Sequence, residues 1–268
     1  MMLLQGKPIA QAILEDLDKQ VKELRRRRIV PALAVVLVGR DPASIQYVHV
    51  KRAAAESVGI DVVVHKLAAN TPEKKVLELI AKLNKDFKVK GILVQLPLPA
   101  QISREKIAWA IDPAKDVDGF QMRVFEPPAP QAIIEILRHY DIPIARKRMV
   151  IIGEGFLVGK PLSVLARKFG AMVTTLDSKI TNLAPYLRDA QIVVAATGTP
   201  KLIKAAMVTP NQVIIDAATG TLNGEVVGDV DLKNVGKVVK AISPVPGGVG
   251  PVTVAVLLRN VVKASKLK

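Results

Sequence analysis

The stretch Ser44-Ile-Gln-Tyr-Val-His-Val-Lys51 sets a phenol and a primary amine four residues apart, in a chain with only three tyrosines. On a helix this spacing puts Tyr47 and Lys51 on one face. Two arrangements give such a pair. An exposed lysine can snorkel past a half-buried tyrosine, or a lysine of lowered pKa can act as acid or base beside a phenol that orients a substrate. Gln95, in the apolar run GILVQLPLP, poses a similar choice. A buried amide needs hydrogen-bond partners, so it is either a satisfied core group or a group pointing into a site. Its place near the C-terminal end of a parallel strand favours the site, because ligands of open α/β sheets bind there. Asp116 and Asp118, in KDVDG, are either turn formers or acceptors for a ligand with several N–H donors.

These groups need elements to hold them. The first half alternates helix and strand. Helical periodicity runs through IAQAILEDLDKQVKELRRRR, and PALAVVLVG is a buried-strand run. SIQYVHVKRAAAESVG is expected to be a helix, with Ser44 as N-cap and Gly59 as stop. IDVVVHKL follows as a strand, then a helix capped by Thr71 with Pro72 in its first position, then the strand of Gln95. The alternation predicts a mostly parallel sheet with helices outside. DPAKDVDGFQMRVFEPPAP, with four prolines, reads as an interdomain crossing. A helix, QAIIEILRHYD, leads into a second alternation of strands and helices with the layout of a dinucleotide-binding sheet. A Pro/Gly loop, SPVPGGVGP, feeds the last helix.

The strand RMVIIG runs into a turn with glycines at 153, 155 and 159. Glycine there lets backbone approach a pyrophosphate at a helix N-terminus. The last interval is one residue longer than in G-x-G-x-x-G, and Pro161 stands where a P-loop needs Ser or Thr. An ordinary strand-to-helix turn is the other reading. The next strand ends at Asp177, 24 residues after Gly153. An acid there accepts from adenosine ribose hydroxyls and repels a ribose phosphate, and Glu154 adds to the repulsion, so charge favours NAD over NADP. A solvated strand end or helix cap also accounts for Asp177.

The 268 residues suffice for two domains, and half of them are hydrophobic, with aromatics at 3%. The core is therefore aliphatic. The absence of cysteine excludes disulfides, thiolate metal sites and cysteine nucleophiles, and suits a reducing cytosol. Three scattered histidines do not suggest a metal cluster. The N-terminus does not read as a signal peptide and no apolar run has the length of a membrane span, so a soluble, cytoplasmic protein is expected, with no membrane partner. The net charge of +15 suits a polyanion or a small anionic substrate. The one dense basic run, Arg25 to Arg28, reads as a solvated helix end rather than a nucleic-acid site.

Together these stretches resemble the bifunctional methylenetetrahydrofolate dehydrogenase/methenyltetrahydrofolate cyclohydrolase family. VGRDPASIQYVHVKRAAAESVGI, GILVQLPLP, KDVDGF and SPVPGGVGPVTVAVLL look like its four signatures, in order and essentially end to end. The resemblance implies a two-domain α/β fold. Residues 1–120 and 251–268 would form the folate-binding catalytic domain, and residues 121–250 a Rossmann-type NAD(P)-binding domain. It also implies a homodimer, with folate in the cleft between the domains. Lys51 matches the family's lysine for the proton transfers of hydrolysis, Gln95 the glutamine that tunes it, and Tyr47 the tyrosine that orients the folate. Asp118 matches the pterin-binding aspartate, and Pro246, Gly247, Gly248 and Val249 the loop closing over the substrate. The implied cofactor-binding set is Gly153, Glu154, Gly155, Val158, Gly159, Asp177, Ser178, Thr197, Gly198 and Thr219. The family usually takes NADP, but has Arg-Ser where Glu154-Gly155 stands and commonly His where Asp177 stands. Its Pro-Cys-Thr-Pro linker reads Pro127-Pro128-Ala129-Pro130 after a shortened approach, and its Asp-Cys-Gly-Ile-Asn stretch reads Asp216-Ala217-Ala218-Thr219-Gly220. All these changes lie in the linker or the cofactor half. An enzyme that keeps hydrolysis but has weak dehydrogenase activity is the alternative, and a non-catalytic basic polyanion-binding protein the third. The basic balance suits the anionic, often extended, glutamate tail of folates.

Overall fold

The computed structural model describes every residue except Ser178, Asn223 and Lys268. The elements are β1 (Met2–Leu3), α1 (Lys7–Arg26), β2 (Ala32–Val38), α2 (Pro42–Ser57), β3 (Asp61–Leu67), α3 (Glu73–Lys85), β4 (Gly91–Val94) and α4 (Arg104–Ala110). Then come α5 (Pro128–His139), β5 (Arg148–Ile152), α6 (Gly159–Lys168), β6 (Met172–Leu176), α7 (Ala184–Leu187), β7 (Ile192–Ala195) and β8 (Val213–Asp216). The chain closes with β9 (Gly220–Leu222), β10 (Glu225–Val227), α8 (Leu232–Val235), β11 (Ala241–Ile242) and α9 (Val249–Ala264). They form two compact units, one of residues Ala12–Pro127 and Val254–Lys268, the other of Met1–Gln11 and Pro128–Thr253.

In the unit of Ala12–Pro127, three parallel strands lie in the order β3-β2-β4. β2 is central and apolar, and its side chains alternate between two cores. Leu33, Val35 and Leu37 pack with Leu17, Val21 and Leu24 of α1, Val48 and Ala55 of α2, and Leu257, Leu258 and Val261 of α9. Ala34, Val36 and Val38 pack with Val76, Ile80 and Leu83 of α3 and Ile107 of α4. A strand buried on both faces reads as the continuous hydrophobic run that the sequence shows.

In the other unit, six parallel strands run in the order β1-β11-β8-β7-β5-β6, with β9 and β10 as a separate antiparallel hairpin. The order reverses beside β5, because β6 lies on one side of it and β7 on the other. This is the doubly wound topology, and its switch point lies at the C-terminal ends of β5 and β7. Val150, Val193, Ile214 and Ile242 face a core completed by Leu187 and Val235, while Ile151, Val194 and Ile215 are equally buried on the opposite face.

Two expected caps differ. α2 begins at Pro42, and Asp41 is its N-cap, accepting from the Ser44 amide at 2.7 Å. Aspartate followed by proline is as good a helix start as serine, and it lies three residues earlier. α3 starts at Glu73 with Pro72 in the cap position and no side-chain cap bond. The far end of α2 is as expected, with Gly59 in the left-handed region and its amide on the Glu56 carbonyl. The limits of the compact units also differ from the expected domain limits. The first eleven residues belong with the six-stranded unit, because β1 pairs with β11. Residues 121–127 belong with the three-stranded unit. There Gln121 Nε2 donates to the carbonyls of Ala108 and Ile111, and Asn260 Nδ2 of α9 donates to those of Val117 and Glu126, at 2.9 and 3.1 Å.

Asn260 is therefore a buried tether between α9 and the segment carrying Asp118. Replacing it with Leu leaves two carbonyls without their donor. Asn260→Leu should cost about 1–3 kcal/mol in urea unfolding, and an unchanged midpoint would show that the tether contributes nothing.

Candidate active site

Lys51 does not snorkel. It lies in the buried stripe of α2 with Ser44, Val48 and Ala55, and is 6% exposed. Its Nζ donates to Gln95 Oε1 at 3.0 Å and sits 4.5 Å from the centroid of the half-buried Tyr47 ring. Gln95, 7% exposed, follows the end of β4, and its backbone amide extends the ladder to Val36. Its Nε2 donates to the Leu96 carbonyl at 2.7 Å. That bond sets the amide's orientation, since a flip would aim NH₂ at the amine and oxygen at a carbonyl. Burial pushes the Lys51 amine below the ordinary lysine range, and the Asp118 carboxylate partly opposes this. Burial pushes Asp118 up, opposed by Lys51. The Tyr47 hydroxyl is pushed up by burial first and by Asp118 second, so it stays neutral. The result is an amine that gives up its proton more readily than an exposed lysine does, next to an aromatic face and an acid.

The two aspartates of KDVDG divide their work. Asp116 is buried, and its carboxylate accepts from the amides of Phe120 and Gln121 at 3.1 and 2.8 Å. Burial raises its pKa and those backbone bonds partly oppose this, leaving it at about 6. It is a turn former. Asp118, held by that turn, is the acid electrostatically coupled to Lys51. Lys115 supports the same segment by donating to the carbonyls of Leu83, Asn84 and Asp86, at the C-terminal end of α3.

In the six-stranded unit, Gly153 and Gly159 bring backbones together at the switch point. A Cβ on Gly153, which has φ +99°, would overlap the Ala196 carbonyl, and one on Gly159 would overlap the Gly153 carbonyl. Gly155 faces open space and is not required sterically. Val158 is the N-cap of α6 and makes no side-chain cap bond. Thr197 and Gly198 follow β7, and the Asp229 carboxylate binds both: Oδ2 accepts from Thr197 N at 2.6 Å, Thr197 Oγ1 at 2.7 Å and Gly198 N at 3.2 Å. Glu154 accepts from Thr175 Oγ1 of β6 at 2.6 Å. Asp177, just past β6, accepts from the Lys179 amide in a local turn. Thr219 is exposed just after β8. Ser178 lies outside the described residues.

Tyr47, Lys51, Gln95 and Asp118 are thus brought together in one unit, and Gly153, Gly159, Thr197 and Gly198 in the other. Pro246 to Val249 lie in the latter unit: Gly6 N donates to the Gly247 carbonyl, and Val249 opens α9. Sequence reasoning missed Asp229, Asp41 and Asn260. Asp229 had a signal, an acid within the apolar run Val226-Val227-Gly228-Asp229-Val230. Among the described residues no group of histidines and acids could hold a metal, and no helix is long and apolar enough to cross a membrane.

A buried amine on an amide in one α/β unit, with a doubly wound unit of dinucleotide-binding topology, defines a two-domain enzyme of the nicotinamide-dependent type. The chain belongs to the tetrahydrofolate dehydrogenase/cyclohydrolase family. Residues 4–118 match its catalytic domain and residues 127–268 its NAD(P)-binding domain. It is 42% identical to the bifunctional protein FolD of Acetivibrio thermocellus over 99% of this chain and 97% of that protein. The crystal structure of the bifunctional FolD of Campylobacter jejuni has a TM-score of 0.96 and 39% identity, covering 99% of both chains. The Trypanosoma brucei enzyme complexed with NADP and an inhibitor has a TM-score of 0.93 and 31% identity, covering 99% of this chain and 97% of that one.

The buried amine makes a direct prediction. With lysines reductively methylated using ¹³C, one resonance absent from Lys51→Met should titrate below the rest. Because the Asp118 anion raises the amine, Asp118→Asn should lower that titration further. A Lys51 resonance that titrates with the surface lysines would contradict the burial.

Proposed function

We propose that the chain oxidises 5,10-methylenetetrahydrofolate to 5,10-methenyltetrahydrofolate with NAD(P), and hydrolyses the product to 10-formyltetrahydrofolate. The observation that carries this reading is the buried Lys51 amine on Gln95, 4.5 Å from the Tyr47 ring. A nicotinamide dinucleotide, when bound, supplies the hydride acceptor. The close backbones at Gly153 and Gly159 fit its pyrophosphate, with Val158, Thr197, Gly198 and Thr219 around it. Tyr47 offers an aromatic face on which the folate stacks, and Asp118 accepts from the N–H donors of the pterin. Pro246 to Val249 are the further substrate-binding residues in this reading. In hydrolysis, the neutral Lys51 amine takes a proton as water forms the new C–O bond to the methenyl carbon. The ammonium returns that proton to the ring nitrogen as its C–N bond breaks, and the remaining hydroxyl proton of the adduct leaves to solvent as the formyl C=O forms. Gln95 holds the amine in place through both transfers.

Glu154 and Asp177 support NAD as the preferred nucleotide. Their negative charge, one carboxylate in the turn after β5 and one just past β6, would repel a 2′-phosphate, and Thr175 fixes the first of them. The same departures favour one second reading, an enzyme with hydrolysis intact and weak dehydrogenase activity. The further reading is a cytoplasmic homodimer acting on polyglutamylated folate, whose anionic tail suits a net charge of +15.

Purified protein should reduce NAD faster than NADP when given 5,10-methylenetetrahydrofolate, and should consume methenyltetrahydrofolate without nucleotide. Lys51→Met should lose hydrolysis by about 10²-fold or more and keep folate binding. Full hydrolysis by this variant would remove the role of Lys51. Glu154→Arg with Asp177→Ser should shift the NAD/NADP ratio toward NADP, and an unchanged ratio would end the charge argument.

A further inference from the structure

Asp229 is 1% exposed and lies outside the four signature-like stretches quoted from the sequence. One of its carboxylate oxygens gathers three donors from a single turn: both N–H groups of Thr197 and Gly198, and the Thr197 hydroxyl. The hydroxyl in turn accepts from the Thr199 amide at 3.1 Å, so the whole turn after β7 is organised through one anion. The other oxygen, Oδ1, is buried with no hydrogen-bond partner among the described residues. A second buried carboxylate stands beside it. Asp216 accepts from the amides of Asp229 and Val230 at 3.1 and 2.9 Å, and the Asp229 charge helps to push its pKa up. A bare buried oxygen and a neighbouring acid are both costs. An arrangement that keeps them is one in which the position of the turn matters.

That position is the switch point. Ala196 and Thr197 are the atoms that Gly153 approaches, and Gly198, at φ +76°, borders open space. The segment carrying Asp229 is itself fixed, since the Ile203 amide donates to the Asp229 carbonyl and the Asp231 amide to that of Ile203. We propose that Asp229 is a positioning residue for the nicotinamide dinucleotide: it does not touch the ligand, but its carboxylate holds the Thr197–Gly198 turn in the shape that the ligand contacts. This rests on the cofactor site proposed above.

The test compares Asp229→Asn, Thr197→Val, their double variant and Thr197→Ser, reading KM for the nucleotide against kcat and against KM for the folate. The loss of a charged acceptor from three donors should raise nucleotide KM about tenfold or more, with a smaller change in kcat and none in folate KM. The double variant should be no worse than Asp229→Asn, because the carboxylate acts through Thr197. Thr197→Ser keeps the hydroxyl bond to Asp229 and should raise nucleotide KM less than Thr197→Val does. A folded Asp229→Asn with unchanged nucleotide KM overturns the inference, as do fully multiplying effects in the double variant. Should Asp229→Asn fail to fold, Thr197→Val decides: an unchanged nucleotide KM overturns the inference, as does an equal rise in Thr197→Ser, and a rise clearly larger in Thr197→Val than in Thr197→Ser supports it. Wild-type protein that binds neither NAD nor NADP overturns the cofactor reading and this inference with it.

Discussion

An amine at the end of a four-carbon stem is costly to bury, and the three-stranded unit is arranged around having buried one. Removing Lys51 from water disfavours its ammonium form and makes its proton easier to lose. The burial is tolerable because every polar neighbour is defined. Gln95 offers an oxygen whose direction is set by the Leu96 carbonyl, Tyr47 offers a ring face, and Asp118 offers a charge whose own burial keeps it from pinning the amine in its charged form. No single one of these groups would give a working acid–base. A fully compensating anion would hold the proton, and an apolar pocket would leave the amine without a partner.

The scaffold follows from this. β2 and β4 are adjacent parallel strands, so the helix after β2 and the residue after β4 come to the same end of the sheet. Asp116 ties the loop that carries Asp118, and Asn260 binds that loop to α9. The six-stranded unit repeats the logic with backbone instead of side chains. Two glycines remove bulk at the switch point, and a buried carboxylate fixes the turn opposite.

Local pattern made much of this legible. β2 shows its burial as an unbroken apolar run, and Gly59 shows the end of α2. Lys51 was ambiguous because spacing tells which face of a helix a residue shares, not whether that face is wet. Two of the groups that surround Lys51, Gln95 and Asp118, lie more than forty residues further along the chain, and only the fold brings them to it. The helix start at Asp41 escaped notice because serine three residues on is an equally good cap, and only the backbone decides between them. Asp229 was invisible as a clamp for the same reason as Asn260. A polar residue in an apolar run announces burial, but its partners are set by tertiary contacts that no local period encodes. The glycines at 153 and 155 look alike in sequence, and only neighbouring backbone distinguishes the required one from the free one.

The core of the three-stranded unit is closed by Leu257, Leu258 and Val261, which come after the whole of the six-stranded unit in the chain. Chains usually complete their N-terminal domain first during synthesis. Here the order is inverted. The six-stranded unit has all its residues before residue 254, whereas the unit that begins at residue 12 stays open on one face until the later turns of α9 have been made. The core around the buried amine is therefore left unfinished in the nascent chain until the whole of the other unit has been synthesised.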